Sequence, residues 1–179
     1  MSERSVTASS GEPGTASAAA NIETLYELYA NDVLRMCYFY LNDRYLAEEV
    51  CQDAFVRLMT SGTQLQPGHE KAWLLKVAVN RCRDLWRSGW VKRVMLGSPA
   101  FELVPAEDTQ ERREDEEAMM AAIHRLAPPF REVILLFYYQ NYGISEIAEI
   151  LALPEGTISS RLSRARAKLK DVLEGGDAV

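Results

Sequence analysis

A chain of 179 residues with 47% hydrophobic residues can build one ordinary domain or two small ones, and is too apolar to be a disordered chain. No apolar run approaches the ~18 residues of a membrane-spanning helix, and Met1 to Ala20 lacks the apolar stretch of a signal peptide, so a cytoplasmic protein is expected. The formal net charge of -6 argues against a uniformly basic nucleic-acid binder, and a sequence with three cysteines is too poor in them for a disulfide scaffold.

Taken in chain order, residues 1–20 are rich in Ser, Ala and Gly and read as a disordered tail. Apolar residues then recur at three- and four-residue steps almost throughout, with hardly a strand signal, so the chain is expected to be all-α. Ile22 to Leu41 reads as a helix broken at Asn42-Asp43. Tyr45 to Met59 follows, with Leu46, Val50, Ala54 and Leu58 in register and Ala47, Cys51 and Phe55 flanking. Ser61 to His69 holds Gly62, Pro67 and Gly68 and is expected to be a loop. A third helix runs from Glu70 or Lys71 to about Ser88, with Trp73, Leu74, Val77, Ala78, Cys82 and Leu85 as core positions. Residues 91–111 have no sustained period and form the natural flexible linker. The chain therefore divides into two small helical domains, at 21–90 and 112–174.

Cys37, Cys51 and Cys82 each sit within an apolar helical pattern, and with His69 and His124 they form no metal-ligand spacing; they read as reduced core thiols. No Ser/His/Asp set or phosphate-binding glycine loop occurs either, so neither an enzyme nor a cofactor is expected. Local charge is more informative than the total. Residues 61–100 carry seven Lys/Arg against Glu70 and Asp84, and 156–170 carry Arg161, Arg164, Arg166, Lys168 and Lys170 with no acid. Acidic segments flank the first of these, at 21–60 and 101–125. Beyond a Debye length of ~8–10 Å charge is screened, so two basic segments can each meet phosphate despite an acidic whole.

The second of these is the more specific. Ser145 is expected to cap a short helix continuing to Leu153, with Ile147, Ile150 and Leu151 inward. Pro154 suits the start of the next helix, whose core stripe is Ile158, Leu162, Ala165, Leu169 and Leu173. Together they predict a helix-turn-helix. The first turn of the second helix, Glu155, Gly156 and Thr157, offers backbone N–H groups to a phosphate. Ser159, Ser160, Arg161, Ser163, Arg164 and Lys168 occupy its polar faces, with small hydroxyls permitting close approach in a major groove.

A helix-turn-helix alone fits an operator-binding regulator equally well. The wording of the segment narrows it. Leu126-Ala-Pro-Pro-Phe-Arg131-Glu-Val-Ile, Ser145-Glu-Ile-Ala148 and Pro154-Glu-Gly-Thr157-Ile-Ser-Ser-Arg161-Leu-Ser-Arg164-Ala-Arg166 resemble the region-4 domain of group IV (extracytoplasmic-function, ECF) sigma factors. The resemblance implies that the domain reads the −35 promoter element, with Ser159, Ser160, Ser163 and Arg164 at base edges. Arg161 and Arg166 would meet phosphate or support the fold. Ala152 stands where the family usually has Gly, expected to tighten the turn only modestly.

The N-terminal half carries the same likeness independently. Tyr45 to Met59 resembles the core-binding helix of sigma region 2, which implies that Glu48, Glu49, Gln52, Asp53 and Arg57 grip the β′ coiled coil of core RNA polymerase. Lys71 to Arg87 resembles the helix that meets the −10 element, implying Lys76, Asn80, Arg83 and Arg87 as DNA contacts. There a base pulled from the stack is held beside the helix, with Ser61 to His69 forming part of the pocket. Trp73 is expected in the core, whereas Trp86 is open between core and stacking platform. As partners the family implies core polymerase through β′ and the β flap, promoter DNA, and an anti-sigma factor, without direct membrane insertion. A sigma-like decoy that titrates an anti-sigma factor would not need the basic recognition helix kept here.

Overall fold

The computed structural model describes residues 14–63, 65–89 and 110–175, with side chains from 21 in the first segment and from 117 in the last. Among them there are helices and no strands. The chain runs α1 (Gly14–Leu41), α2 (Arg44–Thr60), α3 (Glu70–Arg87), α4 (Gln110–Arg125), α5 (Pro128–Ile134), α6 (Ile144–Leu151) and α7 (Glu155–Leu173). A π-helical turn, Leu135–Tyr139, extends α5. Helix α1 starts at Gly14, inside the stretch expected to be a tail. Residues 1–13 and most of the expected linker lie outside the described residues.

Helices α1, α2 and α3 form the N-terminal unit. Asn42 takes the left-handed conformation (φ 53°), a region its short polar side chain tolerates, and ends α1 sharply. Asp43 then caps α2 by accepting from the Leu46 N–H at 2.9 Å, a contact typically worth ~1 kcal/mol. The expected α2 stripe is buried. In α3 the buried set is Leu74, Leu75, Ala78, Val79 and Cys82, so Leu75 and Val79 belong to the core, and Trp73, Val77 and Leu85 only flank it. All three cysteines are buried, and burial pushes the Cys51 thiol up to about 12.

Helices α4 to α7 form the C-terminal unit. Pro128 and Pro129 occupy the first turn of α5, where the missing N–H costs nothing. The turn before α6 pivots on Asn141 (φ 58°). The cap of α6 is not Ser145, which is exposed within the helix. Instead Glu146 reaches back to accept from the Gly143 N–H at 2.7 Å. The end of α6 places Ala152 at φ 53°, ψ 50°, with the Leu153 N–H donating to the Ala148 carbonyl. This Schellman geometry favours glycine, so Ala152 carries left-handed strain of ~1–2 kcal/mol where a modest tightening was expected. Helix α7 buries Ile158, Leu162, Ala165 and Val172 with Leu169 partly covered, while Leu173 is 48% exposed. The stripe thus keeps a seven-residue repeat from 158 to 165 to 172, and position 173 falls one step off it.

The two units pack directly on one another. Phe39 of α1 meets Tyr139 edge-on at 4.7 Å, and Gln140 donates to the Asp32 carbonyl at 3.3 Å. The π turn supplies the extra residue that brings Tyr139 round to α1.

Candidate nucleic-acid interface

Helix α7 stands on the core with its polar faces outward, because burying the apolar stripe leaves the other sides to solvent. Ser159, Ser160, Ser163 and Arg164 are exposed together, beside Glu155 and Gly156 at the helix start. A Cβ built on Gly156 meets nothing within 4 Å, so the bare backbone there is open to approach from outside. The Thr157 N–H turns back to the Pro154 carbonyl at 2.9 Å, which leaves that group less available than the sequence implied.

The remaining cations of α7 have separate settings. Arg166 donates to the Tyr138 hydroxyl at 2.8 Å and lies over the Phe137 and Tyr138 rings, a supporting contact within the unit. Lys168 lies over the Phe130 ring. Arg161 is half-buried and lines a cavity of ≈ 340 Å³ between the units, with Arg83, Arg87, Trp86, Pro128 and Leu153 among the other walls. The sequence could not separate these arginines, since each lies off the apolar stripe.

In the N-terminal unit Lys76, Asn80, Arg83 and Arg87 share one side of α3, as the 4-3-4 spacing requires. Lys76, Asn80 and Arg87 are exposed. Arg83 is half-buried: its Nε donates to Glu132 Oε1 at 2.7 Å and its Nη2 to Oε2 at 2.5 Å, while Nη1 reaches Asn80 Oδ1 at 3.3 Å. The carboxylate raises the Arg83 pKa above its ordinary value, by hydrogen bonding before charge. Glu132, 2% exposed, also accepts from the Tyr40 hydroxyl at 2.8 Å.

Its neighbour Arg131 is 0% exposed and was missed as a structural residue by the sequence reading. Its guanidinium donates to the Tyr40 carbonyl at 2.5 Å, to the Leu126 and Ile123 carbonyls at 3.0 and 3.3 Å, and to that of His124. Tyr40 belongs to the last turn of α1, and Ile123 and His124 to the last turn of α4. One side chain therefore satisfies carbonyl groups at two helix ends, where the macrodipole also favours a cation. The face of Trp86 covers it at 4.8 Å, so Trp86 is neither a core residue nor an open platform but the lid on a buried charge. Burial lowers the Arg131 pKa to about 10. His124, beside it, is pushed down to about 4 by burial and by the Arg131 charge.

On α2, Glu48 pairs with Arg44 at 2.7 Å, while Glu49 and Asp53 meet Arg81 of α3 at 3.9 and 3.4 Å. Gln52 and Arg57 are exposed. Exposed apolar residues join them: Tyr45 at 73%, Val56 at 53% and Met59 at 61%. With Glu49 and Gln52 they fall at 45, 49, 52, 56 and 59, a heptad seam. These three apolar positions were passed over in the sequence, where their place off the core stripe was the available signal.

Two helical units each present a basic helix, and the N-terminal one also carries a heptad seam of exposed residues. The sequence matches Sigma-70 region 2 at residues 25–91 and Sigma-70, region 4 at residues 116–169. It is 28% identical over 165 residues to the ECF RNA polymerase sigma factor SigE of Mycolicibacterium smegmatis, covering 89% of this chain and 64% of that protein. It is also 28% identical over 159 residues to the ECF RNA polymerase sigma factor SigM of Bacillus subtilis, covering 87% of this chain and 96% of SigM. The chain thus spans less than two thirds of the SigE relative and nearly all of SigM. The sigma factor RpoE from Bartonella quintana, solved in complex with the anti-sigma factor NepR, shares the fold. The TM-score is 0.70 at 22% identity, covering 87% of this chain and 98% of that one. The chain belongs to the sigma-70 family, in its extracytoplasmic-function group of RNA polymerase sigma factors.

Proposed function

We propose that the chain binds core RNA polymerase and directs transcription initiation by gripping a promoter at two points. The observation that carries this reading is the arrangement of α7: its apolar stripe is buried and its Ser159, Ser160, Ser163 and Arg164 surface stands open along the N-terminal half of this second helix of a helix-turn-helix. Those four residues read base edges of the −35 element, with Glu155, Gly156 and Thr157 close to the backbone and Arg161 and Lys168 placed for phosphate. Lys76, Asn80, Arg83 and Arg87 of α3 meet the −10 element and the bases exposed as the duplex opens.

The heptad seam on α2, apolar at Tyr45, Val56 and Met59 and polar at Glu49 and Gln52, packs against the polymerase β′ coiled coil with Glu48, Asp53 and Arg57 flanking it. The β flap engages the C-terminal unit. No helix among the described residues is long and apolar enough to cross a membrane. The protein works in the cytoplasm with polymerase, without catalytic residues of its own. An anti-sigma factor is the proposed inhibitor, since the RpoE relative was solved with one.

Run-off transcription with core polymerase tests the whole, on promoters recovered from transcripts induced by overexpression. Promoter-dependent transcripts are expected, and none with core enzyme would overturn the reading. Val56→Asp should weaken core binding at least tenfold while leaving the circular dichroism spectrum unchanged. Unaltered core affinity would remove the seam from the polymerase contact.

A further inference from the structure

Arg83 sits at the centre of the proposed −10 surface, yet its guanidinium is already engaged. Glu132 occupies it through both carboxylate oxygens, at 2.7 and 2.5 Å, in the bidentate geometry that a phosphate would adopt on the same group. Glu132 comes from α5, in the other unit, and Tyr40 of α1 holds the same carboxylate at 2.8 Å. Next to it, Arg131 ties α5 to the end of α1 and lies under Trp86. The cross-unit contact is therefore built around buried charge at its centre. Buried ion pairs contribute little net stability compared with apolar packing, because both ions lose water. Their partners regain hydration when the units part, so such a contact can be released, and a phosphate that takes Arg83 removes the reason for Glu132 to stay buried.

We infer that Glu132 is an internal phosphate mimic that clamps the two units together and withholds Arg83 from DNA until the units separate. The inference rests on the assignment of Arg83 to the −10 surface. A ligand that binds only the open form has its affinity reduced by the open fraction, so loosening the clamp raises apparent affinity without adding a contact.

The test uses the full chain and the Glu132→Gln variant, which keeps the side chain's size and removes its charge. Two quantities are measured at low salt: the radius of gyration by small-angle scattering, and affinity for a fluorescent random-sequence single-stranded DNA 12-mer. The variant is expected to expand and to bind the 12-mer about tenfold more tightly, with the gain abolished when Arg83→Gln is added. Tyr40→Phe, which deletes one donor to the carboxylate and keeps the ring, should shift both quantities in the same direction by a smaller factor. A folded Glu132→Gln chain with unchanged dimensions and unchanged affinity overturns the clamp. An expanded chain with unchanged affinity overturns the DNA role of Arg83 while the clamp stands. Should Glu132→Gln fail to fold, Tyr40→Phe decides, and no change in either quantity counts against the clamp.

Discussion

Helices α3 and α7 are the two basic helices of the molecule, and they meet solvent differently. Along α7 the small hydroxyls and Arg164 are open, Arg166 is exposed but engaged by Tyr138, and half-buried Lys168 lies over Phe130. Along α3 the middle cation is taken by a carboxylate from the other unit. The proposed function puts both helices on promoter DNA, so equal basicity in sequence conceals unequal availability in the fold. The difference arises from the two neighbouring charges on α5. Arg131 fixes where α5 lies, and Glu132 uses that position to reach Arg83.

The comparison breaks most completely at Arg131. Replacement by Ala strands carbonyl groups at the ends of α1 and α4 and uncovers Trp86, and should cost about 3–5 kcal/mol, read as a lower urea midpoint. A loss below 1 kcal/mol would show that α5 is positioned without it.

Acid attacks the same junction. His124 has its pKa at about 4 in the folded chain against 6.5 ordinarily, so the unfolded chain binds the proton first. Its contribution is fully present above about pH 6.5, falls as pH drops below that, and levels off near pH 4. Melting temperature followed from pH 7 to 5 should decline, and His124→Gln should flatten the slope. Identical slopes in the two proteins would remove His124 as the cause.

On the open helix the effect is one of recognition. Arg164→Ala in the polymerase holoenzyme should weaken binding at the −35 element by ~1–3 kcal/mol and relax specificity there. Equal loss on every sequence would make Arg164 a phosphate contact.

The smallest expected effect is a gain. Ala152→Gly relieves the left-handed residue between α6 and α7 and should raise stability by about 1 kcal/mol, seen as a higher melting temperature without altered DNA preference. A lower melting temperature would mean that the flexibility glycine adds to the unfolded chain outweighs the strain.

Much of this was legible in the sequence because apolar periodicity fixes which side of a helix turns inward. Leu46, Val50, Ala54 and Leu58 in α2, and Ile158, Leu162 and Ala165 in α7, are buried where their spacing put them. The pattern failed where periodicity is ambiguous by one residue or carries no information. It extended the α7 stripe to Leu173 rather than Val172, one residue past the repeat. It gave the α6 cap to Ser145 by residue type, although Glu146 reaching back to Gly143 satisfies the same need. Arg131 and Glu132 escaped it altogether. A charged pair reads as surface, and only the meeting of helix ends from distant parts of the chain makes burial of both possible.

The π turn at Leu135–Tyr139 bears on how such proteins can be recombined. Deleting one residue there would restore an ordinary α-helix and rotate everything beyond it by about 100° relative to α5. Phe137 and Tyr138 would lose their alignment with Arg166, and Tyr139 its seat on Phe39. A hybrid that joins this N-terminal half to a relative's C-terminal half must therefore carry the turn intact, or both the packing inside the C-terminal half and its seat on α1 are lost. Register within five residues, rather than similarity of the halves, decides which hybrids assemble.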